Sequence, residues 1–127
     1  MKILQDKALL LKLKKPEIVL NAIQKSKLIK KGEVSEVLVK WGINESIALS
    51  NLKIRSTPSP IKRDYKWTGY YKPMAHQIET SSFLSINKRA FCFNEQGTGK
   101  TASCIWSADY LMNLGFIDKV LVICPLS

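Results

Sequence analysis

Apolar and polar residues follow two different periods along the first 55 residues of the chain. Val34 to Trp41 largely alternates apolar with polar side chains, which predicts a strand with one buried face. Ala8 to Lys14 is apolar with lysines interleaved at its end, and it predicts a second strand. Pro16 and Asn44 each precede residues with helical spacing, so each predicts the start of a short helix, with Asn44 to Ser46 as the cap of the second. Residues 1–55 are therefore expected to form a small α+β N-terminal module.

A break in this pattern follows at residues 56–60. Pro58 and Pro60 lack backbone N–H donors, so this stretch can continue neither a helix nor a central strand. The residues after it, up to position 72, are rich in aromatic and basic side chains. We interpret residues 56–72 as an ordered connector between the module and the rest of the chain.

The pattern beyond the connector predicts a helix, then strand, loop, helix and strand. The first helix is expected from Pro73 to about Ser85, and a short apolar strand from Arg89 to Phe93. A second helix is expected from Lys100 to Asn113, after the loop of residues 94–99. Lys119 to Cys124 is a continuous apolar run of the kind that is buried on both faces of a parallel sheet. Residues 73–127 thus predict a right-handed parallel βαβ unit.

The excess of positive over negative charge is confined to the first part of the chain. Residues 1–72 contain 16 Lys and Arg against 6 Asp and Glu, whereas residues 73–127 contain 4 of each kind, so the whole net charge of +10 lies before the second predicted unit. This asymmetry favours nucleic acid or another polyanion as a partner. A solvated lysine-rich surface is the alternative explanation.

The rest of the sequence has no features typical of a membrane, secreted or zinc-binding protein. No apolar run approaches the length of a membrane span, and the N-terminus lacks the pattern of a secretory signal, so we expect a cytoplasmic protein with no membrane partner. Cys92, Cys104 and Cys124 have no zinc-site spacing, and His76 has no partner nearby in the sequence. The three thiols are expected to be buried and reduced.

The candidate chemistry lies in the loop between the predicted strand and the second helix. Its residues are Asn94, Glu95, Gln96, Gly97, Thr98, Gly99, Lys100 and Thr101. Gly97 and Gly99 permit backbone conformations that other residues avoid, so that loop amides and the positive end of a helix can face an anion. Lys100 can reach the β- and γ-phosphates of a nucleotide, and the Thr101 hydroxyl can bind Mg²⁺. The spacing predicts a phosphate-binding loop for ATP.

These eight residues resemble motif I of superfamily-two helicases, most closely the Swi/Snf-type ATPases, where an acidic residue occupies the Asn94 position. The wording from Phe93 to Thr101 also resembles phage-type members. Upstream, Tyr71 to Gln77 resembles the element whose glutamine reads adenine, which implies that role for Gln77. Downstream, the strand ending in Pro125, Leu126 and Ser127 resembles motif Ia, which implies that these three residues lie near DNA.

The resemblance implies the start of a RecA-like motor lobe that uses ATP and Mg²⁺ to move on DNA, with double-stranded DNA as the expected partner. The acidic box and the second RecA-like lobe of such motors do not occur in the sequence, so we expect an N-terminal fragment that hydrolyses almost no ATP alone. Two alternatives stay open. One is a different phosphate-loop NTPase, and the other is a non-enzymatic function of the basic module, with Lys12, Lys14, Lys30 or Lys31 contacting phosphates.

Overall fold

The structure is a computed structural model that describes residues 1–126. It combines an N-terminal antiparallel sheet with five helices, which confirms a mixed α/β fold class. In chain order the elements are β1 (Lys2–Leu4), β2 (Ala8–Leu13), α1 (Glu17–Ala22), β3 (Ser26–Lys30), β4 (Ser35–Lys40), α2 (Ile43–Asn51), α3 (Ile61–Asp64), α4 (Ala75–Ile86) and α5 (Lys100–Asn113).

The sheet has four antiparallel strands in the order β1-β2-β4-β3. Its central strands, β2 and β4, lie within the segments that were predicted as strands, Ala8 to Lys14 and Val34 to Trp41. The edge strands β1 and β3 were not predicted, because each is short and its lysines interrupt the apolar pattern. Edge strands commonly carry such lysines, since charge discourages pairing with another chain.

One face of this sheet forms the core of the N-terminal module together with α1 and α2. Residues from strands, helices and the end of β4 share this core: Leu9, Leu11, Val19, Ile23, Val37, Val39, Trp41 and Leu49. All eight are nearly inaccessible to solvent. Their burial provides most of the module's stabilisation, because removing apolar surface from water contributes about 25 cal/mol per Å².

Helix α2 begins one residue earlier than its predicted cap. Gly42, in an extended conformation, occupies the N-cap position, and Asn44 lies inside the first turn. The prediction of an Asn44 cap was therefore wrong. Ser46 also lies inside the helix, where its amide donates to the Gly42 carbonyl and its buried hydroxyl donates to the carbonyl of Pro58 at 2.9 Å.

Hydrogen bonds to the connector and α4 join the module to the second half of the chain. The indole Nε1 of Trp41 donates to the same Pro58 carbonyl at 3.0 Å. The buried hydroxyls of Ser59 and Ser85 lie 2.6 Å apart. The proline-rich stretch therefore lies at the junction between the module and α4. There the Pro58 carbonyl, which has no strand partner, accepts hydrogen bonds from the side chains of Trp41 and Ser46.

The connector also contributes to a second, aromatic cluster. Ile61 of α3 and Tyr65, the residue that follows α3, pack against Trp106 and Tyr110 of α5. Trp67 lies beside them. Three ring pairs in this cluster meet edge to face, at centroid distances of 5.3, 5.9 and 5.5 Å. The Tyr65 hydroxyl donates to Asp109 at 2.6 Å, so its polar end is satisfied although its ring is buried.

The two strands expected in the second half are not strands in this structure. Residues 89–93 and 119–124 are irregular, and the side chains of Phe93 and Ile123 are each 88% exposed. Residues 1–126 accordingly contain no parallel strand pair and no RecA-like sheet. An extended segment gains backbone hydrogen bonds and burial only beside another strand, and all the paired strands described here lie in the N-terminal sheet.

The aromatic cluster should make stability sensitive to alkaline pH. Burial, assisted by the Asp64 carboxylate, raises the pKa of Tyr110 to about 12. The unfolded chain loses this proton near pH 10, so the stabilisation is complete below that pH and is lost as pH rises toward 12. We expect the unfolding free energy to fall by roughly 1.4 kcal/mol per pH unit from this group within that window.

The measurement is chemical denaturation of the chain and of Tyr110→Phe at several pH values. The difference between the two removes the titration of lysines, which both proteins share. The variant should lose less stability than the parent between pH 10 and 12. Parallel pH curves for both proteins would contradict the assignment.

Candidate nucleotide-binding site

The predicted loop is curled at the start of a long helix. Gly97 and Gly99 both adopt left-handed conformations, with φ of 74° and 73°, and Gly99 is the N-cap residue of α5. The Thr98 hydroxyl donates to the Glu95 carbonyl at 2.8 Å and closes the turn. The first residues of α5 therefore direct their unpaired amides toward the loop, which is the arrangement that binds anions at a helix N-terminus.

Lys100 turns its side chain back over this loop. Its ammonium Nζ donates to the carbonyl oxygens of Asn94 at 2.7 Å and Glu95 at 3.3 Å. The only positive side chain of the loop is thereby held beside the loop's own backbone. An ammonium carries three donors, so this position leaves one for a further acceptor.

Gln77 links the first turn of α4 to the loop. It is only 6% exposed, its Oε1 accepts from the Met74 amide at 2.8 Å, and its Nε2 donates to the Gly99 carbonyl at 3.4 Å. A β-carbon at Gly99 would overlap this same Nε2 atom. The absence of a side chain at Gly99 is thus what allows the glutamine to reach the loop backbone.

His76 adds a second link that the sequence did not reveal. Its Nε2 lies 2.8 Å from the carbonyl oxygen of Thr98. The Asn94 amide also donates to the hydroxyl of Thr80, one turn further along α4. Nothing in the sequence indicated this contact, because His76 and Thr98 are 22 positions apart and no local pattern connects them.

The remaining loop residues are accessible. Glu95, Gln96, Gly97 and Thr101 are exposed, so neither the loop amides at the turn nor the Thr101 hydroxyl is buried under protein. The structure therefore brings Gln77 and the loop of residues 94–101 together at one surface.

A cavity of about 520 Å³ lies next to Gln77 on the side of the connector. Its walls include Tyr70, Tyr71, Met74 and Trp106, and the rings of both tyrosines are largely exposed to it and to solvent. Sequence reasoning missed these aromatic residues as site components. The density of aromatic side chains in residues 65–71 was the signal in the sequence that could have identified them.

The residues predicted to lie near DNA are not joined to this site. Pro125 and Leu126 are exposed and lie in an irregular segment, and Ser127 lies outside the described residues. Their expected position past a parallel strand depended on the strand 119–124, which is not formed here.

The cysteines differ from their expected burial. Cys92 is half-buried, whereas Cys104 and Cys124 are exposed. Cys92 and Cys124 belong to the two segments that were expected to be buried strands, and those strands are not formed here. Partial desolvation, together with the nearby Cys92, raises the pKa of the Cys104 thiol, which keeps it protonated at neutral pH.

Comparisons with protein-family models, with curated proteins and with solved structures found no significant match to this chain. Within residues 1–126, no helix combines the length and the apolar character needed to cross a membrane. The same residues contain no cluster of three or more histidine, cysteine or acidic side chains suited to a metal ion.

The contact between Gly99 and Gln77 can be tested with a matched pair of alanine variants. Gly97→Ala and Gly99→Ala each place a β-carbon at a left-handed residue, which costs about 1–2 kcal/mol. At Gly97 the new atom meets open space, but at Gly99 it displaces the buried amide of Gln77. We expect Gly99→Ala to lower the unfolding free energy more than Gly97→Ala does.

The additional destabilisation of Gly99→Ala relative to Gly97→Ala should disappear when both changes are repeated in a Gln77→Ala background, where there is no amide left to displace. Denaturant unfolding of the six proteins measures this coupling. If the two glycine variants differed equally with and without Gln77, the proposed contact would not be the cause.

Proposed function

We propose that this chain is the nucleotide-binding part of an ATP-dependent DNA helicase or translocase of the Swi/Snf-like type. The observation that carries the proposal is the loop of residues 94–101, with two left-handed glycines at the start of α5 and a buried glutamine hydrogen-bonded to its backbone. A glycine turn at a helix start binds phosphate, and the glutamine beside it supplies a means of choosing the base.

In this proposal the polyphosphate lies against the amides of Gly97 to Thr101. Gly97 and Thr101 are exposed, the residues between them are half-buried, and the helix end contributes a partial positive charge. Lys100 would exchange its bonds to the carbonyls of Asn94 and Glu95 for the β- and γ-phosphates. The residues fit a nucleotide with Mg²⁺, because the exposed Thr101 hydroxyl is free to bind the ion, and Mg²⁺ would neutralise charge on the phosphates during transfer.

The adenine is proposed to lie in the cavity beside Gln77. A carboxamide oxygen accepts two hydrogen bonds and its nitrogen donates two. Gln77 uses one of each on Met74 and Gly99, so one acceptor and one donor remain for the N6 and N7 edge of adenine. Tyr70 and Tyr71 present exposed rings on which a base can stack.

Motor function requires a larger lobe than the described residues form. We infer that residues 89–93 and 119–124 are strands of a parallel RecA-like sheet in the complete motor. The strong exposure of Phe93 and Ile123 supports this, because apolar segments of this length are normally covered. Pro125, Leu126 and Ser127 would then follow a strand end near double-stranded DNA, and a second RecA-like lobe would complete the ATP site in the cytoplasm of a bacterial or phage-infected cell.

Replacing the loop lysine tests the phosphate site. Lys100→Ala removes charge-assisted hydrogen bonds worth roughly 1.5–3 kcal/mol, so ATP affinity should fall about 10- to 150-fold. The fold should be retained, because the lysine bonds only to loop carbonyls. Calorimetric titration with Mg-ATP measures the affinity.

The matched control is Lys119→Ala, an exposed lysine outside the loop. It removes the same charge and should bind ATP like the parent chain. Equal ATP affinity in Lys100→Ala and the parent would remove Lys100 from the site.

Replacing Gln77 tests the selection of the base. Gln77→Ala should weaken ATP binding more than GTP binding, because only adenine offers the N6 donor and N7 acceptor that a carboxamide matches. The ratio of the two affinities is the informative quantity, since loss of the bond to Gly99 also disturbs the phosphate loop for both nucleotides. An unchanged ratio would show that Gln77 only supports the loop.

A further inference from the structure

The two faces of the N-terminal sheet differ sharply in charge. The face that packs on α1 and α2 carries only apolar and serine side chains along its paired strands. The opposite face, called the open face here, carries five exposed lysines: Lys2, Lys12, Lys27, Lys30 and Lys40. The strand register places Glu36 on it as well, between Lys12 and Lys30. The open face therefore has a net charge of +4.

The register also orders these lysines. One cross-strand row reads Lys2, Leu10, Leu38 and Lys27, so that a lysine stands at each edge and two half-buried leucines lie between. Three strand spacings separate the two edges, which is about 14 Å. The width is comparable to the major groove of B-DNA, about 12 Å, so the edge lysines can contact phosphates on both of its sides.

We propose that the open face binds the phosphate backbone of double-stranded DNA without regard to sequence. Charge complementarity carries the assignment, because the five lysines are balanced only by Glu36, which lies 3.8 Å from Lys12. The inference deepens the DNA-binding part of the proposed function and uses none of the ATP-site residues. It assigns the contact to one defined surface of a chain whose excess charge lies in its first 72 residues.

The side chains present favour duplex DNA over other polyanions. Single-stranded nucleic acid is bound largely by stacking on aromatic rings, and the paired residues of the open face include none. Base reading uses planar or bidentate groups such as arginine, asparagine and glutamine, which are also missing from those positions. A membrane surface requires apolar side chains that insert below the headgroups, but Leu10 and Leu38 are half-buried among lysines.

The test is a salt titration of duplex binding by fluorescence anisotropy with the full chain. The variant Lys2→Gln, Lys27→Gln, Lys40→Gln removes the three lysines that are not paired with Glu36 in the sheet register. Each lost phosphate contact lowers the slope of log affinity against log salt by about 0.9, so the slope should fall by about 2.7. The same three positions changed to arginine should retain the slope of the parent.

The matched control changes Lys66, Lys88 and Lys119 to glutamine. It removes the same charge from exposed positions outside the sheet, and its slope should fall by less than one. Circular dichroism on each variant verifies the fold, which should be unchanged because every substituted side chain is solvent-exposed.

Three results would overturn the proposal: an equal loss of slope in the control variant, tighter binding to single-stranded DNA than to the duplex, or binding to phosphatidylserine vesicles in place of DNA. Lys100→Ala separates this inference from the proposed function. This variant should keep the full dependence of DNA affinity on salt. If the parent chain bound duplex DNA through the open face but failed to bind ATP, that result would contradict only the proposed ATP-dependent motor.

Discussion

The structure of the candidate site depends on one close approach, that of the Gln77 amide to the backbone of Gly99. The left-handed glycine has no β-carbon, and the space that a side chain would fill is occupied by the glutamine nitrogen. The same glutamine accepts from Met74 at the start of α4, so one buried side chain connects the beginnings of two helices. Further along, the Ser81 hydroxyl donates to the Ser103 carbonyl and continues the contact between α4 and α5. The loop is therefore positioned by helix packing, and its own hydrogen bonds only shape the turn.

A second constraint connects this site to the N-terminal module. Pro58 cannot donate a hydrogen bond, but its carbonyl accepts from both Trp41 and Ser46 of the module. The adjacent Ser59 reaches Ser85 near the end of α4. The open face of the sheet lies opposite the core that these contacts adjoin. These hydrogen bonds connect the N-terminal sheet, through the connector, to the helix that carries Gln77.

The apolar segments on either side of the loop and α5 show how secondary structure depends on neighbours. Residues 119–124 have the β-branched, uncharged character of a buried strand after their first lysine, yet they remain irregular and exposed. Strand propensity mostly reflects packing against adjacent strands, and no paired strand lies beside them in the described residues. Helix α5 forms over its whole predicted length next to them, since between its two terminal turns its backbone hydrogen bonds lie within the helix.

What the sequence determined by itself was local. The bounds of α5, the central strands β2 and β4, the glycine turn and the position of Lys100 at a helix start all follow from periodicity, glycine placement and spacing within a few residues. The tertiary structure decided what depends on distant contacts. It set the edge strands β1 and β3, the Gly42 cap of α2, the link from His76 to Thr98, the aromatic cavity and the separation of lysines onto one face of the sheet. The reason is physical. Whether a segment can form a helix or a turn depends mainly on residues nearby in the sequence, whereas a residue's hydrogen-bond partners and its exposure depend on which elements pack beside it.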